Sequence, residues 1–346
     1  MRFDVEVVPG LEEFAEREIQ ARLPEAEILG RPREGRLALD YDGSLRRLDT
    51  LKTVVAVYRV ESFDVSRPRG LLGHQSFQRL IAAIRRVLEI YPAGRFATFH
   101  LSAAGADSPT FARFKVALAE ALRIPATDGP GDLSLGVRRP LDGSPGWDAL
   151  IRVSPRPLSA RAWRVCDWPG ALNATVARAM GELTDPSPSQ RFLNLACGSG
   201  TLLIERLDLG PARPALGVDR DPAALACAVE NALASGHARD IRLLRADATR
   251  LPLPSASVDA LVADLPYGML VGSQRENAVL YPAILAEAAR VAASPASFVA
   301  ITARHRLFES ALQSTRQAWS LERAFPLKIP FRSGYLRPTI YQMRRT

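Results

Sequence analysis

Two glycines mark the first point where this sequence could bind a ligand. Residues 192–197 form a largely apolar, strand-like segment, and Gly198, Ser199 and Gly200 follow it, directly before the helix-forming residues 201–205. Two glycines let the backbone turn tightly and leave amide N–H groups at the start of a helix, where they can meet a ligand. Plain turns and dinucleotide dehydrogenases also contain such a tripeptide, so the turn alone does not define the chemistry.

The next two strand-like segments each end in an acidic residue. They end at Asp219 and Asp247. An acid at the first position can accept hydrogen bonds from both hydroxyls of a ribose, and an acid at the second can accept from the exocyclic amine of adenine. The alternatives are an ordinary helix cap at the first position and a solvated strand end at the second. The two acids together favour a nucleoside-containing cofactor.

The most specific signal is the sequence Asp264-Leu265-Pro266-Tyr267, which follows the fourth segment. Asp264 and the carbonyl of Leu265 can accept the two hydrogens of a planar amine, while Tyr267 can stack on the ring that carries it. Pro266 stiffens the turn between them. These four residues are therefore the candidate catalytic residues, and an amine on an aromatic base is the candidate target.

These residues all stand at the ends of predicted strands in the second half of the chain. The strands are predicted over residues 192–197, 215–219, 241–246, 258–264, 297–302, 321–329 and 339–344. Five strands joined by helices predict a doubly wound parallel sheet, and the last two, with no helix between them, predict an antiparallel hairpin at its edge. Ligands bind beyond the carboxyl ends of such strands, near the switch point.

The first half predicts a different, α+β architecture. Short strands and helices alternate over residues 1–160, and 125–146 is rich in proline, glycine and aspartate, which indicates turns and an exposed loop. Residues 166–180 predict a connecting helix, entered through Asp167-Trp168-Pro169. Three cysteines without C-x-x-C spacing predict neither a disulfide framework nor a zinc site, and no structural metal is expected.

The sequences LNLACGSGTLLIE, GVDRDP, RADA and DLPYG together resemble class I S-adenosylmethionine-dependent amino-methyltransferases. The chain is most similar to the tRNA and rRNA guanosine N2-methyltransferases that carry a THUMP domain, which also share the pattern from Phe3 to Glu12. The resemblance implies an α/β fold: a class I, Rossmann-like methyltransferase domain with a seven-stranded sheet and an antiparallel final hairpin, plus an N-terminal α+β domain. It divides the chain into a ferredoxin-like subdomain (1–50), a THUMP RNA-binding domain (51–160), a linker helix (161–190) and a methyltransferase domain (191–346).

The resemblance also assigns the cofactor residues by position. S-adenosylmethionine is expected to lie against Asn194, Ala196, Cys197, Gly198, Ser199, Gly200, Thr201, Asp219, Arg220, Asp247, Ala248 and Asp264. The first glycine-rich part would line the methionine moiety, Asp219 the ribose, and Asp247 with Ala248 the adenine. Two positions depart from the family pattern. Leu265 replaces the usual first proline of the fourth motif, and Asn194 stands where many members have an acid.

Composition and charge are compatible with an RNA partner. The chain has 346 residues, a net charge of +8 and a pI of about 9.8, and proteins of this kind hold polyanions by releasing counterions. Its 47% hydrophobic content excludes a disordered chain, while no apolar run approaches the ~18 residues of a membrane span. Arg332, Arg337 and Arg344, interleaved with aromatic residues, are the predicted RNA contacts, although an ordinary charged hairpin is the alternative. The opening sequence has no signal-peptide pattern, so a cytoplasmic location is expected. The protein is also expected to be a monomer.

The predicted function is methyl transfer from S-adenosylmethionine to N2 of a guanosine in tRNA, in the acceptor stem or the core. The short chain without a second catalytic domain favours tRNA over rRNA, which is the nearest alternative. An N6-adenine or N4-cytosine DNA methyltransferase would leave the first 150 residues unexplained. A catalytically decayed RNA-binding protein is disfavoured by the intact Gly198, Gly200, Asp219 and Asp264, and a dehydrogenase gives DLPYG no role.

Overall fold

The chain divides into two units, Met1–Ser159 and Ala160–Thr346, in the computed structural model. The structure describes residues 1–213, 215–268, 274–331 and 334–346. Within these ranges, no helix combines the length and the apolar character that crossing a membrane requires. The same ranges contain no group of three His, Cys, Asp or Glu side chains that could hold a metal ion.

One seven-stranded sheet runs through the whole first unit. Its elements are β1 (Arg2–Glu6), α1 (Glu12–Arg22), β2 (Glu27–Arg33), β3 (Arg36–Asp40), α2 (Leu45–Leu48), β4 (Ala56–Phe63), a 3₁₀ helix (Pro68–Leu72), α3 (His74–Leu88), β5 (Phe99–Ala103), α4 (Pro109–Leu122), β6 (Leu133–Arg138) and β7 (Trp147–Arg152). The strand order is β2-β3-β1-β4-β7-β6-β5. Because β1 pairs with β4, residues 1–50 and 51–160 share this sheet.

The helices of the first unit bury the apolar residues that their spacing predicts. Phe14 and Ile19 of α1 are fully buried, as are Ile84 of α3 and Leu118 of α4. The side chains of α3 and α4 form a core with those of β5, β6 and β7. The sequence did not indicate β2, because its side chains are almost all exposed or half-buried and so lack an apolar alternation.

The second unit contains the predicted doubly wound sheet. Its elements are α5 (Ala174–Glu182), β8 (Phe192–Leu195), α6 (Thr201–Leu207), β9 (Ala215–Asp219), α7 (Pro222–Ser235), β10 (Ile241–Arg245), β11 (Val258–Asp264), α8 (Gln274–Val291), β12 (Ala292–Thr302), α9 (His305–Ser314), β13 (Trp319–Pro326), β14 (Ile329–Phe331), β15 (Gly334–Leu336) and β16 (Thr339–Arg345). The sheet order is β10-β9-β8-β11-β12-β16-β13. Strands β8 to β12 pair in parallel, which confirms the predicted parallel sheet. The prediction that helices join all five strands is wrong between β10 and β11, where residues 246–257 form turns.

The final strands confirm the antiparallel end of the sheet and add a detail. β16 pairs antiparallel with both β12 and β13, so it lies between them. The strand predicted over residues 321–329 is wrong at its end. It stops at Pro326, and Ile329 begins a separate two-stranded hairpin formed by β14 and β15.

Two expectations for the start of the second unit are wrong. The connecting helix begins at Ala174, where Asn173 caps it by accepting a hydrogen bond from the Thr175 amide at 2.9 Å, and not at residue 166. Cys166 and Cys227 form a disulfide, while Cys197 is free and buried. The two cysteines meet because the irregular segment before α5 passes beside α7, a contact that spacing along the chain does not indicate.

Candidate active site

The candidate site lies where neighbouring strands end at one edge of the second sheet. β8 pairs with β9 on one side and with β11 on the other, with Leu195 opposite both Val218 and Ala263. The chain order reverses between β8 and β11, which makes this edge the topological switch point. The glycine-rich turn after β8 and the Asp264–Tyr267 turn after β11 are therefore neighbours, as the sequence predicts.

The glycine-rich turn takes a backbone conformation that requires its glycines. Gly198 and Gly200 have φ angles of +52° and +81°, and Ala196 beside them is held at +48°. A Cβ added to Gly200 would lie 3.3 Å from the Cβ of Ala228 on α7, so a side chain there would meet that helix. The turn delivers the chain directly into α6, with backbone amides at its start.

Asp219 at the end of β9 is fixed by backbone amides. Its Oδ2 accepts a hydrogen bond from the Gly198 amide at 2.8 Å, and its Oδ1 accepts from the Asp221 amide at 3.0 Å. Two carboxylate oxygens offer about four acceptor positions, so both keep capacity for a diol. Asp221 caps α7 by accepting from the Ala223 amide, as predicted for an Asp-Pro helix start.

Asp247 at the end of β10 is exposed and ionised. Its Oδ1 accepts from both the amide and the hydroxyl of Thr249, at 2.8 and 2.7 Å, and these hydrogen bonds lower the pKa of Asp247. The positive charge of Arg220, which is also exposed, contributes in the same direction. Ala248 packs against the core. The second oxygen of Asp247 is therefore available to an amine donor.

Four of the residues assigned to the cofactor are buried beneath this edge. Asn194, Cys197, Ser199 and Thr201 are each at most 7% exposed. Asn194 donates from Nδ2 to the carbonyls of Leu195 and, across the sheet, of β11, while its buried Oδ1 has no partner among the described residues. Burial raises the pKa of the Cys197 thiol, which keeps it protonated.

The Asp264–Tyr267 turn brings a carboxylate and a phenol into contact. The Tyr267 hydroxyl donates to Oδ1 of Asp264 at 3.0 Å. Removal from water raises the pKa of Asp264 to about 7, and the hydrogen bond from Tyr267 opposes this shift only in part. The pKa of Tyr267 is raised well above its usual value by burial and by the nearby carboxylate. Leu265 is buried and donates its amide to Ile301 at 3.0 Å, a hydrogen bond that a proline there would lack.

The sequence interpretation missed the irregular segment before α5 as part of this site. Arg164 donates from Nη2 to the Thr201 hydroxyl at 3.0 Å, and Cδ1 of Trp168 would lie 4.0 Å from a Cβ on Gly198. Burial lowers the pKa of Arg164. The sequence predicted a helix for these residues, so their contacts with the glycine-rich turn could not be predicted from it.

Asn231 of α7 is the second residue that the sequence interpretation missed. It is fully buried, and its Nδ2 donates to the carbonyls of Ser199 and Cys166, at 3.1 and 3.0 Å. Its Oδ1 accepts from the amides of Val165 and Cys166, both at 3.0 Å. One side chain thus joins the glycine-rich turn, α7 and the irregular segment. This role could not be predicted, because an asparagine within a predicted helix does not by itself indicate a contact with another segment.

Two of the three predicted RNA contacts lie within the described residues. Arg332 lies outside the described residues, and Arg337 is exposed. Arg344 pairs with Glu322 at 3.0 Å and with Asp185 at 3.3 Å. Their role in binding RNA stays a prediction.

Comparison with known proteins finds similarity to a described family within the second unit. Residues 161–330 match the model of UPF0020, the RMKL-like methyltransferase domain. A tRNA (guanine(6)-N2)-methyltransferase of Thermus thermophilus is 38% identical over 132 residues, which are 38% of this chain and 39% of that protein. The mouse tRNA (guanine(6)-N(2))-methyltransferase THUMP3 is 30% identical over 190 residues, 51% of this chain and 37% of that protein. The chain therefore spans less than two fifths of the length of these curated relatives.

Solved structures share the fold over the whole chain. The crystal structure of TrmN from Thermus thermophilus has a TM-score of 0.73 at 24% identity and covers 100% of this chain and 99% of its own. That of SMU.472 complexed with SAH has a TM-score of 0.66 at 15% identity, covering 99% and 97%. At these identities the likeness concerns the fold, and both units take part in it. Residues 161–330, which carry the glycine-rich turn and the Asp264–Tyr267 turn, are thus similar to the UPF0020 family, the RMKL-like methyltransferase domain.

Proposed function

We propose that this protein transfers a methyl group from S-adenosylmethionine to the exocyclic N2 of a guanosine in tRNA. The observation that carries the proposal is the Asp264–Tyr267 turn, which sets a carboxylate and an aromatic ring at the switch point next to a glycine-rich turn. Two relatives that the chain matches, from Thermus thermophilus and mouse, are tRNA guanine-N2-methyltransferases.

The residues at the strand ends fit the proposed cofactor. Gly198 and Gly200 leave room for close approach, Asp219 is held with acceptor capacity for the ribose hydroxyls, and Asp247 has an oxygen for the adenine amine. The related structure of SMU.472 was solved with SAH, the demethylated form of this cofactor. When bound, the cofactor supplies a methyl group on a sulfonium that is already strongly electrophilic.

The protein's own contribution is to orient and activate the amine. The N2 lone pair of guanine is conjugated into the ring, so the amine is a weak nucleophile until acceptors draw its hydrogens away. Asp264 and the Leu265 carbonyl are those acceptors, and ionised Asp264 stabilises the positive charge that develops on nitrogen. Tyr267 holds the face of the base. Ordering of the two reactants contributes up to roughly 7–11 kcal/mol.

The remaining parts of the chain are proposed to hold the RNA. A guanosine inside a stem must be turned out of the helix, at a cost of a few kcal/mol, and contacts to the RNA backbone offset that cost. We assign this to a THUMP-type domain within the first unit and to exposed Arg337 in the second. Tyr335, which is 61% exposed with Lys328 above its ring at 4.8 Å, adds a stacking surface on the β14–β15 hairpin. The protein acts as a monomer in the cytoplasm, where its substrate is found.

Nucleoside mass spectrometry tests the proposal directly. The purified protein is incubated with S-adenosylmethionine carrying a labelled methyl group and, separately, with unmodified tRNA, ribosomal RNA and DNA. We expect label in N2-methylguanosine from tRNA. Asp264→Ala should abolish the product and leave cofactor affinity within a few-fold of wild type. Label in N6-methyladenine or N4-methylcytosine of DNA, or in rRNA alone, would refute the tRNA assignment.

A further inference from the structure

The two carbonyls that follow Leu265 in the candidate catalytic turn are held by side chains from outside the turn. The Pro266 carbonyl accepts hydrogen bonds from Nδ2 of Asn277 and from the Tyr281 hydroxyl, both at 2.7 Å. The Tyr267 carbonyl accepts from Nε of Arg304 at 2.6 Å. Three donors thus converge on two consecutive peptide groups.

The donors come from two elements and are linked to each other. Asn277 and Tyr281 lie one turn apart on α8, while Arg304 follows β12. The Tyr281 hydroxyl is 2.8 Å from Oγ1 of Thr302, which accepts the amide of Arg304 at 3.0 Å. Burial raises the pKa of Tyr281, so the hydroxyl keeps the proton that it donates. The Asp264–Tyr267 turn is therefore held by hydrogen bonds from α8 on one side and from Arg304, after β12, on the other.

The burial of this network sets it apart from surface hydrogen bonding. Asn277, Tyr281 and Thr302 are each 0% exposed. Burying polar groups in a core is costly unless they have hydrogen-bond partners, and buried hydrogen bonds fix one arrangement of the chain. Every donor named above has its acceptor, while Oδ1 of Asn277 has no partner among the described residues. Here the arrangement that is fixed is the backbone of the turn between Asp264 and Tyr267.

We propose that Asn277, Tyr281 and Arg304 are positioning residues for methyl transfer, acting through the backbone of residues 265–267. By tethering the carbonyls of Pro266 and Tyr267, they fix the two peptide planes on either side of the Tyr267 Cα, and with them the direction of the Tyr267 side chain. The rigid ring of Pro266 connects the first of these planes to the peptide that carries the Leu265 carbonyl. Transfer between two aligned reactants is sensitive to small displacements, so loss of one tether lowers the rate of the chemical step. This inference rests on the proposed function.

A pair of tyrosine variants tests the inference with a built-in control. Tyr281→Phe removes the hydroxyl on the Pro266 carbonyl. Tyr341→Phe removes a hydroxyl from an equally buried tyrosine, which bonds Glu309 at 3.3 Å and packs against the same Phe308 ring. We expect kcat to fall roughly tenfold in Tyr281→Phe only, with cofactor Kd and thermal midpoint matching those of Tyr341→Phe.

Substitutions of Arg304 add a rescue test. Gln places an amide nitrogen where Arg304 has its Nε, whereas Met keeps the length of the side chain without a donor. Arg304→Met should lower kcat by roughly ten- to a hundredfold with an unchanged cofactor Kd, and Arg304→Gln should recover most of the loss.

The outcomes separate this inference from the function on which it rests. If the wild-type protein forms no N2-methylguanosine, the proposed function fails, and this inference fails with it. If the wild type forms that product but Tyr281→Phe and Tyr341→Phe have equal kcat, or Gln and Met at position 304 behave alike, the function stands and the positioning role is overturned.

Discussion

At the scale of single residues, the chemistry of this site depends on the charge of Asp264. Its pKa of about 7 is high because burial removes the carboxyl from water. Tyr267 supplies one hydrogen bond to the charged form. The fraction of ionised carboxylate therefore changes most strongly near neutral pH.

The ionisation of Asp264 should therefore appear in the pH dependence of kcat/KM. With ionised Asp264 as the acceptor of the target amine, kcat/KM should rise about tenfold per pH unit below pH 7 and level off above it, because the profile reports the free enzyme. Asp264→Asn should lose this dependence along with most of its activity. A wild-type kcat/KM that stays constant between about pH 5 and about pH 9 would contradict the assigned role.

Asp219 permits a binding prediction at the same scale. Asp219→Ala should weaken cofactor affinity by about 1.5–3 kcal/mol, the range for hydrogen bonds to a charged group, as measured by titration calorimetry. The carboxylate also orders the glycine-rich turn through the Gly198 amide. Asp219→Asn, which retains one acceptor oxygen, should lose less. Equal affinity in all three proteins would remove Asp219 from the cofactor site.

At the scale of elements, the glycine-rich turn owes its shape to neighbours on two sides. Asp219 holds Gly198 from β9, and Asn231 holds Ser199 from α7. Asn231 also fixes the irregular segment through the amides of Val165 and Cys166. The disulfide between Cys166 and Cys227 joins the same segment to the same helix. The turn is thus part of a bonded assembly of three elements.

Replacing Asn231 should disturb that assembly as a whole. Asn231→Leu keeps the branching of the side chain, although Leu is larger, and leaves two carbonyls and two amides without their partner. We therefore expect the free energy of unfolding of the second unit to fall by roughly 3 kcal/mol or more, and cofactor affinity to fall as well. Asn173→Ala, which removes the cap of α5, is the control and should cost about 1 kcal/mol with cofactor affinity kept. Chemical denaturation and calorimetry compare the two. Similar losses of affinity in both variants would show that Asn231 has no special link to the turn.

The bounds of the strands and helices show which features of the fold could be predicted from the sequence. The strand ends at Asp219 and Asp264 were predicted to the residue, because apolar strands end abruptly in acids, and the cap at Asp221 follows from its chemistry. The hydrogen bonds of Arg164 and the pairing of Cys166 join residues far apart in the chain. The local sequence pattern carries no information on such contacts, and Asp167-Trp168-Pro169 before α5 was interpreted as a helix entry.

At the scale of the whole molecule, the two units have separate cores and separate sheets. The first ends at Ser159 and the match to the family model begins at residue 161, so the boundary between the two units agrees with the start of that match. The sheet that carries the candidate active site takes all its strands from the second unit. Each seven-stranded sheet is thus formed by strands from one unit only.

A protein that starts near Pro157 should therefore fold and bind the cofactor. Its affinity for tRNA should fall sharply, since a tethered second binding site supplies an effective concentration that a lone domain lacks. Calorimetry with the cofactor and filter binding with tRNA measure the two effects. If the shortened protein methylates full-length tRNA at the same guanosine with an unchanged kcat/KM, the first unit does not serve as the RNA anchor.

The position of β16 between β12 and β13 has a consequence for synthesis on the ribosome. The chain emerges in order, so β12 is complete at Thr302 while its neighbour in the sheet begins only at Thr339. Until that neighbour is made, the nascent chain presents a free strand edge with its amides and carbonyls unpaired, and β13 has no partner either. Free edges of this kind recruit other chains or chaperones. The sheet of the second unit is thus completed late in synthesis, when β16 pairs with both β12 and β13.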